Sequence, residues 1–268
     1  SGALDGLGWN RRQMLTQADA VLSAAKETAA TQVVGQMQLF GGDDTGSWQR
    51  PAPEPMEEFS SAELLRMERE VTGMYLSGNP FQPVQYLCRL LHVPASTELS
   101  DLLEQTEIAF LGILQSVKPH LTKKQERMCF FQVEDETGTL ECVAFPNVFR
   151  AVQQKLQPDT ILWCKGRLSV QESGVSLLCS SVLTLEELQK QLSRAKFCIK
   201  LSSTDTDRMQ QAIQIAAKYS GETALCFYLT DQKKMIQPKQ KQSIAISAES
   251  EQEFSTIFTS SELGILQV

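Results

Sequence analysis

Lys118, Lys123, Lys124 and Arg127 fall within ten residues of one another, with His120 among them and Glu126 as the only acid. Cations so spaced can neutralise phosphates. Phe130, Gln132, Phe145 and Arg167 follow, and exposed aromatics interleaved with polar and basic groups can stack and hydrogen-bond bases. A second constellation, Gln36-Met37-Gln38-Leu39-Phe40, has the makings of a short hook. The Gln36 amide can satisfy backbone groups at the mouth of a pocket while Leu39 and Phe40 enter it, each worth about 1.5–3 kcal/mol if fully buried.

Other reactive groups point away from catalysis. The acid pair Asp43-Asp44 lies in a Gly-rich stretch, and Asp205 and Asp207 begin a helical pattern, where acids favour the helix dipole. The two histidines, His92 and His120, have no nucleophile motif beside them, and no phosphate-cradling G-x-x-x-x-G-K-[ST] occurs. We therefore expect no catalytic residue, no metal site and no cofactor. The seven cysteines are odd in number, widely spaced and without a C-x-x-C pair, which argues against a disulfide framework and against zinc. They read as small apolar core residues.

The net charge of −7 over 268 residues excludes a global basic field, so any nucleic-acid contact must be local. Across residues 107–184 acids and bases occur in equal number, which predicts weak, salt-sensitive binding. No apolar run approaches the roughly 20 residues of a membrane span and no signal peptide is apparent, so a cytoplasmic protein with no membrane partner is expected.

These groups need elements to hold them. Residues 10–26 have a helical period with Asn10 as its cap, and the abrupt start of that pattern suggests a piece of a longer chain, with residues 1–26 closing a domain upstream. Residues 27–59, rich in Thr, Gln, Gly, Asp and Pro, read as a flexible linker carrying the hook. Residues 60–106 form a helical connector. Ser60 and Glu63 make a capping box, Leu64, Met67, Val71 and Met74 share a face, and Gly78 is placed as a left-handed stop before Pro80. A short helix fits 82–91.

From residue 108 the period becomes two. Strands are predicted at 108–117, 128–134, 139–145, 160–168 and 175–183, with a helix at 147–156 and a turn at 135–138 in which Gly138 takes positive φ. Three strands, a helix and two strands is the order of a five-stranded OB barrel, here over 107–184. Alternation then sends Cys129, Phe131 and Val133 inward and leaves Phe130, Val143 and Phe145 outside, with Trp163 read as core. Residues 185–268 read as a small α+β domain: helix 185–193, strand 197–201, helix 205–219, strand 224–229, short strands near Met235 and Ile244, and a helix from Glu251. The fold class is thus mixed α and β and multi-domain.

Three segments carry a resemblance to a known family. Gly2-Ala3-Leu4-Asp5-Gly6-Leu7-Gly8-Trp9-Asn10-Arg11-Arg12 resembles GAFDSLG-x-NR. Glu68 to Pro80 resembles EKE-x-LG-x-YLSGHP, with Asn79 in place of the usual His. Asp135-Glu136-Thr137-Gly138-Thr139-Leu140-Glu141 through Phe145-Pro146 resembles D-x-TG-x-(I/L)E-x-x-x-FP. In this order they are similar to the C-terminal region of the bacterial DNA polymerase III alpha subunit. The resemblance implies a parent DNA-directed DNA polymerase, a nucleotidyltransferase of DNA replication whose catalytic carboxylates lie outside this segment. It implies that Gln36, Leu39 and Phe40 bind the sliding clamp (beta subunit), that the barrel binds single-stranded DNA, and that the tail contacts the clamp-loader tau subunit. A stand-alone OB-type RNA- or tRNA-binding module, similar to anticodon-binding barrels, is the alternative; it needs neither the hook nor the Glu68–Pro80 signature.

Overall fold

The computed structural model describes residues 2–31, 54–171, 174–238 and 240–266. Gln36, Leu39 and Phe40, like the Asp43-Asp44 pair, lie outside the described residues. Two units are distinguished, Ser1–Pro80 and Phe81–Val268.

In the first unit α1 (Arg11–Thr31) runs five residues past the expected end. Its start is held as the sequence suggests. Asn10 Oδ1 accepts from the Gln13 N–H at 2.8 Å, and Gln13 Oε1 accepts from the Asn10 N–H at 3.0 Å. Residues 54–59, expected to be linker, lie against this turn. The Glu58 carboxylate accepts from the N–H groups of Arg11 and Arg12 at 2.8 and 3.1 Å, and the Gln13 amide donates to the Glu54 carbonyl at 2.7 Å. An acid at a helix N-terminus satisfies orphan donors and meets the positive end of the dipole.

The second helix, α2 (Ser61–Thr72), opens on the Ser60–Glu63 capping box but ends at Gly73, whose φ of +80° suits glycine, and not at Gly78. Beyond this glycine stop the chain folds back on Glu68, a residue 2% exposed whose carboxylate accepts from the Leu76 N–H (3.0 Å), the Ser77 N–H (2.8 Å) and the Ser77 hydroxyl (2.7 Å). Val71 and Met74, expected on a buried face, are 71% and 58% exposed.

The second unit starts with a 3-10 turn (Gln82–Val84), α3 (Gln85–Leu90) and a further 3-10 segment (Ser96–Asp101). The barrel follows: β1 (Glu107–Leu121), β2 (Arg127–Glu134), β3 (Thr139–Ala144), α4 (Pro146–Val152), β4 (Ile161–Gln171) and β5 (Gly174–Thr184). It closes in the order β1-β2-β3-β5-β4, with β3 and β5 parallel and the other pairs antiparallel. This is the expected five-stranded OB barrel. Phe110, Leu114, Cys129, Phe131, Val133, Leu140 and Leu177 fill its interior.

β1 is five residues longer than the alternation indicated, four of them at its C-terminal end. It pairs with β4 through Ile113 only, and from there to Leu121 with β2 alone, so its far half is an edge where Pro119 withholds no needed donor. Gly138 does not take positive φ. It is small because a Cβ there would sit 2.9 Å from Ser96 Oγ.

The tail comprises α5 (Leu185–Leu192), β6 (Lys196–Leu201), α6 (Thr206–Lys218), β7 (Ser220–Leu229), β8 (Lys234–Ile236), β9 (Ser243–Ile244), α7 (Ala248–Ser255) and β10 (Leu263–Leu266). The sheet runs β10-β6-β7-β8, with β9 on β7. Three expectations change: β7 starts four residues early, directly after α6, β10 has no counterpart in the strand pattern, and α7 starts three residues early, on a cap from Ser247. Leu111, Ile113 and Trp163, on the outside of the barrel, join Leu87, Leu90, Leu188, Phe197, Phe227 and Phe254 in one cluster. Barrel and tail therefore share a core, and Trp163 is part of it.

Candidate nucleic-acid interface

Strand alternation divides the residues of interest between two faces. On the outer face, direct cross-strand partners run Lys118, Phe130, Val143, Leu178, Arg167 across β1, β2, β3, β5 and β4. Beside this row lies a polar one, Ser116, Gln132, Glu141, Ser176. Phe130 is half-buried, and His120 meets its ring edge-on, with centroids 5.9 Å apart at 72°. Phe145, 45% exposed, caps α4 just beyond β3. The result is a half-apolar strip with an aromatic at its centre and one at its end.

Cations border it. Lys118 projects from β1, and Lys123 and Lys124 occupy the short loop 122–126, which the Thr122 N–H closes on the Glu126 carbonyl at 2.9 Å. Much of the basic segment is thus strand, not loop. Among the described residues Lys118, Lys123 and Lys124 form no ion pair, whereas Arg167 pairs loosely with Glu107 at 3.4 Å. Gln132 already accepts from the Ser116 hydroxyl at 3.1 Å.

Arg127 does not join this set. It pairs with Leu121 and shares the side of Cys129, and it lines a cleft of about 640 Å³ with Pro119, His120, Leu121 and Phe149, which His120 joins to the strip at Phe130. The same two-residue period that assigned Phe130 outward predicts this. Leu178, by contrast, escapes the sequence: its place beside Val143 depends on the parallel β3–β5 pairing, which no local pattern announces.

The two signature motifs hold structure rather than ligand. Asp135 accepts from the Ser96 N–H and hydroxyl and from the N–H groups of Thr137 and Gly138, each at 2.8 Å. Burial works against its charge, yet the bonds from Ser96, Thr137 and Gly138 hold the carboxyl below the usual carboxylate range. Glu68 is likewise held low, first by the Ser77 N–H. Asp205 stands at the N-cap position of α6, where its carboxylate turns back to accept from the Ser202 N–H at 3.2 Å and faces Arg208 at 3.6 Å. Among the described residues, one group of side chains is close enough to share a metal ion, Cys142, Cys164 and Cys179, inside the barrel and away from the strip. No helix among them is long and apolar enough to cross a membrane.

Residues 108–185 match a family described as OB-fold nucleic acid binding domain. Over 255 residues, 93% of the chain, the sequence is 29% identical to the DNA polymerase III subunit alpha of Bacillus subtilis (strain 168), of which it covers 22%. It is 27% identical over 194 residues, 72% of the chain, to the same subunit of Aquifex aeolicus (strain VF5), covering 15% of it. It is also 27% identical over 234 residues, 83% of the chain, to that of Pasteurella multocida (strain Pm70), covering 20%. The chain thus spans about a fifth of the length of the curated relatives it matches, and its similarity to DNA polymerase III alpha subunits extends well beyond the barrel.

Proposed function

We propose that the chain is a non-catalytic, C-terminal part of a replicative DNA polymerase III alpha subunit whose OB barrel binds single-stranded DNA. The observation that carries this reading is the cross-strand row Lys118, Phe130, Val143, with Lys123 and Lys124 beyond its end and Phe145 beside it. Phe130 stacks on a base, Phe145 takes a neighbour, and the lysines neutralise the intervening phosphates. Gln132 and Arg167 contribute polar contacts along the strip. Arg127 contributes least, because it faces the cleft at Phe149.

The equal count of acids and bases in the barrel suits a guide for a strand already held by a polymerase more than a high-affinity trap. Gln36, Leu39 and Phe40 tether the assembly to the sliding clamp, and the tail docks the clamp-loader tau subunit; both readings are supported by the resemblance to the alpha subunit alone. The test is fluorescence anisotropy with labelled oligo(dT) and oligo(U) at low and moderate salt. Preference for DNA, falling as salt rises, supports the reading. Preference for the RNA would favour an RNA-binding module, and the lack of any binding at low salt would make the strip a protein-docking face.

A further inference from the structure

The barrel interior holds a feature that the cysteine spacing conceals. Cys142 on β3, Cys164 on β4 and Cys179 on β5 are 22 and 15 residues apart in sequence, yet their sulfurs all lie within 4.8 Å of one another. Chain closure explains it: β5 lies between β3 and β4, and all three residues point inward. Cys142 and Cys164 are 0% exposed and Cys179 is 4% exposed.

We propose that these three thiols form a site for a trivalent, thiophilic metalloid of the arsenic(III) class. Sulfurs each about 2.3 Å from a shared centre lie at most roughly 4 Å apart in a trigonal set, so small side-chain rotations suffice. Charge selects the occupant. Three thiolates around a divalent ion leave a net negative charge in an apolar core, where an uncompensated charge is costly, and structural zinc also requires a fourth ligand. The described cluster has three donors.

Arsenous acid avoids both costs. In As(OH)3 + 3 RSH → As(SR)3 + 3 H2O, three As–O and three S–H bonds break while three As–S and three O–H bonds form. Arsenic stays trivalent, no electrons are transferred, and the adduct is neutral. The two other neighbouring cysteines in the tail, Cys198 on β6 and Cys226 on β7, are cross-strand partners and offer two thiols only.

The test uses the whole chain, reduced with a phosphine and exposed to arsenite. The expected product carries one arsenic and has lost three hydrogens by intact mass, with three of the seven cysteines blocked to Ellman's reagent after unfolding. Cys142→Val and Cys179→Val should each weaken uptake at least about ten-fold, a change of about 1.4 kcal/mol, and the Cys198→Ala/Cys226→Ala double variant should retain it. Adduct formation should also raise the thermal midpoint of the wild-type chain, a readout that holds even if a variant fails to fold. No adduct under native conditions, an adduct that has lost only two hydrogens and keeps a hydroxyl, or uptake abolished by the tail double variant would each overturn the proposal.

Discussion

Ser96 and Asp135, 39 residues apart, are joined twice: the Ser96 N–H and its hydroxyl each donate to the Asp135 carboxylate at 2.8 Å. This contact fastens the 3-10 segment before β1 to the β2–β3 hairpin, and it makes the D-x-T-G pattern a matter of assembly. Asp135→Asn keeps the size but turns donor towards donor, and should destabilise the second unit by about 2–3 kcal/mol in urea denaturation. The pH dependence has a definite sign. Because the folded carboxyl is held below the usual range, its contribution is complete above the unfolded value of about 3.9 and disappears as the pH falls through the folded value. The variant should lack that part of the acid sensitivity.

Glu68 plays the matching part in the first unit. Glu68→Gln should release the amides of Leu76 and Ser77, which donate to its carboxylate. Native-state hydrogen exchange should show protection at these two positions falling at least about ten-fold. Unchanged protection would mean that the 73–77 turn is held by other contacts.

On the outer strip, stacking and charge separate by their salt response. Phe130→Ala should cost about 1–3 kcal/mol in oligo(dT) binding with an unchanged salt slope. Lys123→Ala/Lys124→Ala should lower the slope itself, by about 0.7 for each single-strand phosphate that is no longer neutralised. Arg127→Ala should be milder than Lys118→Ala, since Arg127 faces the other side of β2.

Trp163 tests whether barrel and tail unfold together. It is 6% exposed and packs in the cluster that also holds Leu188, Phe197 and Phe254. Trp163→Ala should cost about 3–5 kcal/mol, with barrel and tail still melting in one transition by circular dichroism. Two separate transitions in the wild-type chain would show that the shared core does not couple them.

The hook stands apart from all of these. Leu39→Ala/Phe40→Ala should abolish binding to the cognate sliding clamp in surface plasmon resonance and leave the thermal midpoint of the chain unchanged. An unaltered dissociation constant would end the clamp reading.

Local pattern was enough to read the five barrel strands, the α4 insertion and the βαβ start of the tail, because side-chain alternation and capping act within a few residues. It placed Phe131 inside and Phe130 outside for the same reason. Three features were decided only by the tertiary structure. The fold-back of 73–77 buried the Glu68 carboxylate under the amides of Leu76 and Ser77, the parallel β3–β5 pairing put Leu178 beside Val143, and barrel closure gathered Cys142, Cys164 and Cys179. Each depends on a contact between residues that are distant or out of phase in the chain, and a periodicity read along one segment carries no information about which other segment will lie against it.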